Sequence, residues 1–175
     1  MKKLLLVVFL LPFFGVLAQD NHSYVGVEVC GKCHKSEKQG QQLSIWQDSK
    51  HSKAYETLKT EKADQIASEK GYTTKAIETE DCLKCHAVGY NLDASLLDKK
   101  FKVEDGVQCE SCHGPGSDYK SRKIMKDREQ SVANGLIVYE NTEDFCTNCH
   151  NEESPTFVKF VFEEMWEKIK HSIPQ

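Results

Sequence analysis

The segment Gln108-Cys109-Glu110-Ser111-Cys112-His113 sets a histidine directly after two cysteines three residues apart. The chain carries four copies: Cys30/Cys33/His34, Cys82/Cys85/His86, Cys109/Cys112/His113 and Cys146/Cys149/His150, which together use all eight cysteines. On a helical turn, positions i and i+3 share a face and position i+4 extends it. Two thiols so placed can reach the two vinyl groups of one porphyrin. The imidazole that follows then lies beneath the iron as its proximal ligand. The pattern reads as four c-type haem attachments, with eight thioether cysteines and four proximal histidines.

Other cysteine chemistries fit less well. An exported chain with eight cysteines could close four disulfides, and paired Cys-x-x-Cys units could build zinc ribbons. Neither needs a histidine after every second cysteine, and histidine makes up only 7 of the 175 residues. Zinc sets closed by four ligands would also leave four histidines unused.

The four irons need a second axial ligand each if all are to be six-coordinate. Three histidines remain outside the motifs, His22, His51 and His171. At least one iron must therefore take Met, Lys or another group, or keep an open position. His51 is the first distal candidate, because it lies on the apolar stripe of its helix; the alternative is a core histidine bonded to a neighbour. His171 is the second, although it could serve only as a C-terminal helix residue favoured by the dipole. His22 lies close to the expected mature terminus, where chains fray. Met125 is the leading non-histidine candidate, against the commoner role of a core methionine.

Helices must position these groups. His51, Ala54, Tyr55 and Leu58 form one stripe and predict a helix over 41–58, and Thr60 to Lys70 predicts another, stopped by Gly71. Ser117 is expected to cap a weakly amphipathic helix through Ile124, Met125 and Val132, ending near Gly135. Phe162, Met165, Trp166 and Ile169 again have helical spacing. The alternation of Val158, Phe160 and Phe162 allows a short strand before them. The expected fold class is mainly α: a small multihaem cytochrome c, with helices and loops wrapped around four covalently bound haems. The motif spacing is uneven, which excludes a solenoid of equal repeats.

Met1-Lys2-Lys3, the apolar run Leu4 to Leu17 and Val16-Leu17-Ala18 read as a signal peptide over 1–18. A membrane anchor is the alternative, for which the run is short. Residues 19–175 are then one domain, exported to a bacterial periplasm. Loss of Lys2 and Lys3 leaves 21 basic against 27 acidic residues, a net charge of −6. That balance argues against nucleic acid and favours redox partners with basic docking surfaces, with membrane contact only through partners. The chain is also polar, with 39% hydrophobic and 29% charged residues. Large cofactors would supply the apolar bulk that a domain of this size needs.

With these residues in view, the chain resembles the tetrahaem c-type cytochromes whose best-known member accepts electrons from hydroxylamine oxidoreductase in ammonia oxidisers. The resemblance rests on Trp46, Ser49, His51 and Ala54 after the first motif, on Gly106 to Gly116 around the third, and on Phe162-Glu163-Glu164-Met165. It implies haems in closely stacked pairs, three of them bis-histidine and one, on the second motif, five-coordinate. His51 and His171 would match family distal ligands, although His171 follows its helix about two residues early. The family also carries a distal histidine in the loop after the third motif. Here that loop reads Ser117-Asp118-Tyr119-Lys120-Ser121-Arg122, so its haem must take His22, Met125 or nothing, and two haems could lack a distal histidine.

The expected function is electron relay between redox partners. The alternative is reduction of nitric oxide or a related nitrogen oxide at a five-coordinate haem, with Tyr119 and Arg122 as candidate proton donors. A haem-based gas sensor would need an output module, for which no residues remain.

Overall fold

The computed structural model describes residues 22–172. The expected leader, 1–18, lies outside the described residues. Among the described residues ten short α-helices follow one another: α1 (Val27–Gly31), α2 (Gln42–Asp48), α3 (Ala54–Thr57), α4 (Glu61–Glu69), α5 (Glu80–His86), α6 (Cys109–His113), α7 (Arg122–Met125), α8 (Arg128–Ala133), α9 (Thr142–Cys146) and α10 (Phe162–Ile169). Among the described residues the β-structure is one isolated parallel bridge, Tyr24 to Leu97. The mainly α expectation holds, and the strand before α10 does not form.

Local sequence sets most of the helix ends. Thr60 Oγ1 accepts the amide of Ala63 at the start of α4, and Gly71, at φ 89°, ends that stretch as expected. The expected helix over 41–58 is broken. Ser49 is extended at ψ 162°, and a 3-10 turn over His51–Lys53 separates α2 from α3. Tertiary bonds favour the break. The indole of Trp46 donates to the carbonyl of Val107 at 2.8 Å, and the amide of Val107 donates to the carbonyl of His51 at 3.2 Å.

Ser117 does not cap a helix. Its hydroxyl accepts the amide of Ser23 at 2.9 Å, and its own amide donates to the carbonyl of Ser23 at 3.1 Å. Ser121 caps α7 instead and Asp127 caps α8, so the one expected helix becomes two, and Gly135, at φ 100°, turns the chain after α8. The Ser131 hydroxyl, donating to the carbonyls of Ile124 and Asp127, holds α7 against α8.

Among the described residues one region packs as an ordinary core. Leu58, Ala67 and Ala76 are buried together, with Ala63, Tyr72, Ile77 and Leu83 against them, joining α3, α4 and α5. Elsewhere among the described residues the buried apolar side chains are few: Val25, Val27, Ala87, Phe101 and Tyr119. A domain of this length normally buries far more apolar surface than this.

Candidate haem sites

Each motif folds as a helical turn. The second and third lie wholly within α5 and α6. The first and fourth run off the ends of α1 and α9, but the amide of His34 still donates to the carbonyl of Cys30 at 3.1 Å, and that of His150 to Cys146 at 3.0 Å. The Cys30 side chain lies beside that of Cys109, and the Cys85 side chain beside that of Cys149. The first motif thus adjoins the third, and the second adjoins the fourth. Lys84 of α5 also reaches Glu153, beyond the fourth motif, at 3.2 Å.

Cys33 stands apart from the other motif cysteines. It is exposed, whereas the other seven cysteines are half-buried. The cause is local. Helix α1 ends at Gly31, so Cys33 stands on the turn beyond it, where its amide donates to the carbonyl of Cys30 at 3.2 Å. Lys32 and Lys35 on either side are exposed too, which places this end of the first motif at the surface. The i, i+3 spacing to Cys30 is kept, but a group held by Cys33 would have that edge open to solvent.

The histidines gather in a definite way. The ring of His51 faces that of His150 at 6.0 Å between centroids, and the ring of His171 faces that of His113 at 5.9 Å. A metal–imidazole bond of about 2.0 Å, with about 1.1 Å from nitrogen to ring centre, puts two opposed ligands of one metal about 6 Å apart. Each pair joins one motif histidine to one histidine from outside the motifs. The planes are rotated by 52° and 65°, which two rings on a common axis tolerate. Burial pushes the pKa values of His51, His113 and His150 down, towards the neutral imidazole that binds metal.

The surroundings fix these rings. His51 is held by its carbonyl bond to Val107 and by Gly106, whose φ of 71° lets the chain pass under it. A Cβ on Gly106 would sit 3.0 Å from the His51 carbonyl oxygen. Phe160 stacks on His150 at 4.9 Å. An apolar cavity beside α6 and α10 brings His51, His113 and His171 together with Trp46, Val107 and Ile169. The other two proximal candidates have no histidine facing them. His86 has Nδ1 2.8 Å from the carbonyl of Ala54, a contact that assigns the N–H to Nδ1 and leaves Nε2 for a metal. His34 lies near His113.

His22 is placed by other bonds. Its Nδ1 lies 2.5 Å from the Asp118 carboxylate, and one ring face rests on Gly135. Met125 is half-buried at the end of α7. Neither expected proton donor is available as imagined. The Tyr119 hydroxyl is buried and donates to the carbonyls of His113 and Gly114, and Arg122 is exposed.

One residue escaped the sequence reading. Glu110, an interior position of the third motif, is 2% exposed, and its carboxylate accepts the amides of Val25, Gly26 and Gly116 at 2.7–2.8 Å. Burial raises its pKa, against the lowering effect of those three bonds. It staples the N-terminal segment to the third motif, and an acid inside Cys-x-x-Cys was its only sequence signal.

These observations fit c-type haem. Paired thiols lie on single turns, two imidazole pairs stand at the spacing of opposed axial ligands, and the interior has little side-chain packing of its own. Among the described residues, no three His, Cys, Asp or Glu side chains converge in the manner a zinc site requires.

Comparison with known proteins agrees. Residues 29–114 match the family model described as cytochrome c554 and c-prime, a stretch that contains the first three motifs and His51. A cytochrome c-554 of Nitrosomonas europaea is 34% identical over 104 residues, covering 55% of this chain and 40% of the relative. The match thus spans well under half of that protein's length. No solved structure gives a significant match.

Proposed function

Because this chain belongs, over residues 29–114, to the cytochrome c554 and c-prime family, we propose that it is a periplasmic tetrahaem carrier that relays electrons between redox proteins. A c-type haem supplies one-electron exchange at iron, at a potential set by axial ligands, hydrogen bonding and burial. The chain's own residues do the rest. Eight cysteines, the exposed Cys33 among them, anchor the four groups, and His34, His86, His113 and His150 are the proximal ligands. His171 completes the site of His113, and His51 that of His150.

The two facing imidazole pairs carry this reading. They join motifs to histidines distant in sequence, at the spacing of two ligands on one metal. The Ala54 carbonyl fixes the ring of His86, while Trp46, Val107 and Ile169 line the apolar cavity beside the pair of half-buried His113 and exposed His171. The thiol contacts group the motifs as first with third and second with fourth, an arrangement suited to two close haem pairs. The open edge at Cys33 suits a relay, because it gives an electron a way in or out at the surface. His34 and His86 then keep positions without an opposed histidine, unless His22 leaves Asp118. The acidic chain suits partners with basic surfaces through weak, salt-sensitive encounters.

No observation favours the reductase alternative. Of the two proton donors named for it, the Tyr119 hydroxyl is buried and donates to the carbonyls of His113 and Gly114. Spectroelectrochemistry of the exported holoprotein tests the carrier reading. Four one-electron steps are expected, with low-spin bis-imidazole signals from two irons. A carbon monoxide shift confined to the other two is also expected. A single step, or a shift at all four irons, would overturn it.

A further inference from the structure

We infer that helices α7 and α8 form a second docking face, basic rather than acidic, which receives an acidic one-electron redox protein beside the third motif. The inference rests on the carrier reading. Residues 120–133, which span both helices, contain Lys120, Arg122, Lys123, Lys126 and Arg128 against two acids, Asp127 and Glu129, for a net charge of +3. The rest of the expected mature chain carries −9. All five side chains are exposed. Among the described residues none of the five enters an ion pair, although Lys59, Lys84, Lys100 and Lys170 elsewhere all do. This stretch is therefore a local excess of positive charge on an acidic chain.

The basic face is also fixed to a haem site. Tyr119, next to Lys120, is buried and donates to the carbonyls of His113 and Gly114 at 3.1 and 2.8 Å. Beyond α8, the amide of Ile137 donates to the carbonyl of His113 at 3.0 Å. Both ends of the α7–α8 unit thus hang on the proximal histidine of the third motif. A partner bound there would be oriented by charge and held close to that site. Docked, the partner loses one electron and a ferric iron of this chain becomes ferrous. A protein fits better than an anionic membrane, because α7 and α8 are only four and six residues long, too short to lie in a membrane surface as amphipathic helices, although Val132 of α8 is exposed.

Stopped-flow reduction of the holoprotein tests the inference, using photoreduced plant-type ferredoxin as the acidic donor and hexaammineruthenium(II) as a cationic one. The variant K120E/R122E/K123E/K126E/R128E is compared with K38E/K62E/K70E/K75E/K99E, which changes net charge equally but away from this face. A five-site glutamine variant of the basic face covers the case in which reversal disturbs folding. At low ionic strength the basic-face variants should react at least tenfold more slowly with ferredoxin than the control variant does. The gap should close at high salt, and neither basic-face variant should slow with the ruthenium donor. Equal losses in the two sets would overturn the inference, as would a wild type that reacts with ruthenium but not with ferredoxin. So would an unchanged ferredoxin rate combined with lost binding to phosphatidylglycerol vesicles, which would make the face a membrane contact. Failure with both donors would remove the carrier reading itself.

Discussion

At the scale of single residues, the motif cysteines and histidines were legible because their chemistry dictates their spacing. Their burial was not, and Cys33 comes out at the surface because α1 stops short of it. The partners of His113 and His150 were not legible either, because no local rule brings positions 171 and 51 to those rings. His51 was nevertheless singled out by its stripe and His171 by its place after a helix. If His171 completes the site of His113, His171→Met should replace one bis-imidazole low-spin signal with a histidine–methionine signal, raising one midpoint potential and leaving the other steps in place. Unchanged spectra would remove His171 from the ligand set. Glu110 makes a different prediction. Glu110→Ala would leave three buried amides without an acceptor, at a cost of about 3 kcal/mol in denaturant unfolding. Glu110→Gln, which keeps one acceptor oxygen, should lose less.

At the scale of elements, helix existence was readable and helix continuity was not. The periodicity around His51 is helical, yet the chain breaks at Ser49 because Trp46 and His51 bond to Val107 across the fold. Likewise Ser117 looks like a cap in sequence, but its partner is Ser23, 94 residues away. Asp127 caps α8 and so splits one expected helix into two. Gly106 is the element-level test. A side chain there would meet the His51 carbonyl in a backbone conformation that costs about 1–2 kcal/mol for an L-residue. Gly106→Ala should lower the unfolding midpoint and weaken the low-spin signal that depends on His51. A variant with wild-type stability and spectrum would show that the close approach is relaxed in solution.

At the scale of the whole molecule, the sequence already pointed to an interior filled by something other than side chains. The structure bears this out in physical form. Among the described residues the one buried apolar cluster joins α3–α5, and elsewhere buried apolar side chains are few. Chain produced without haem attachment should therefore show weak helical circular dichroism and rapid proteolysis throughout, apart from the segment around Leu58, Ala67 and Ala76. A protease-resistant, fully helical apoprotein would contradict that. Haem at all eight cysteines underlies the whole reading, and the intact mass of the exported protein, taken with a free-thiol titration, tests it without intermediaries. The expected mass is that of residues 19–175 plus four haems, with no titratable thiol, Cys33 included. Fewer haems, or a cysteine pair closed as a disulfide, would contradict it.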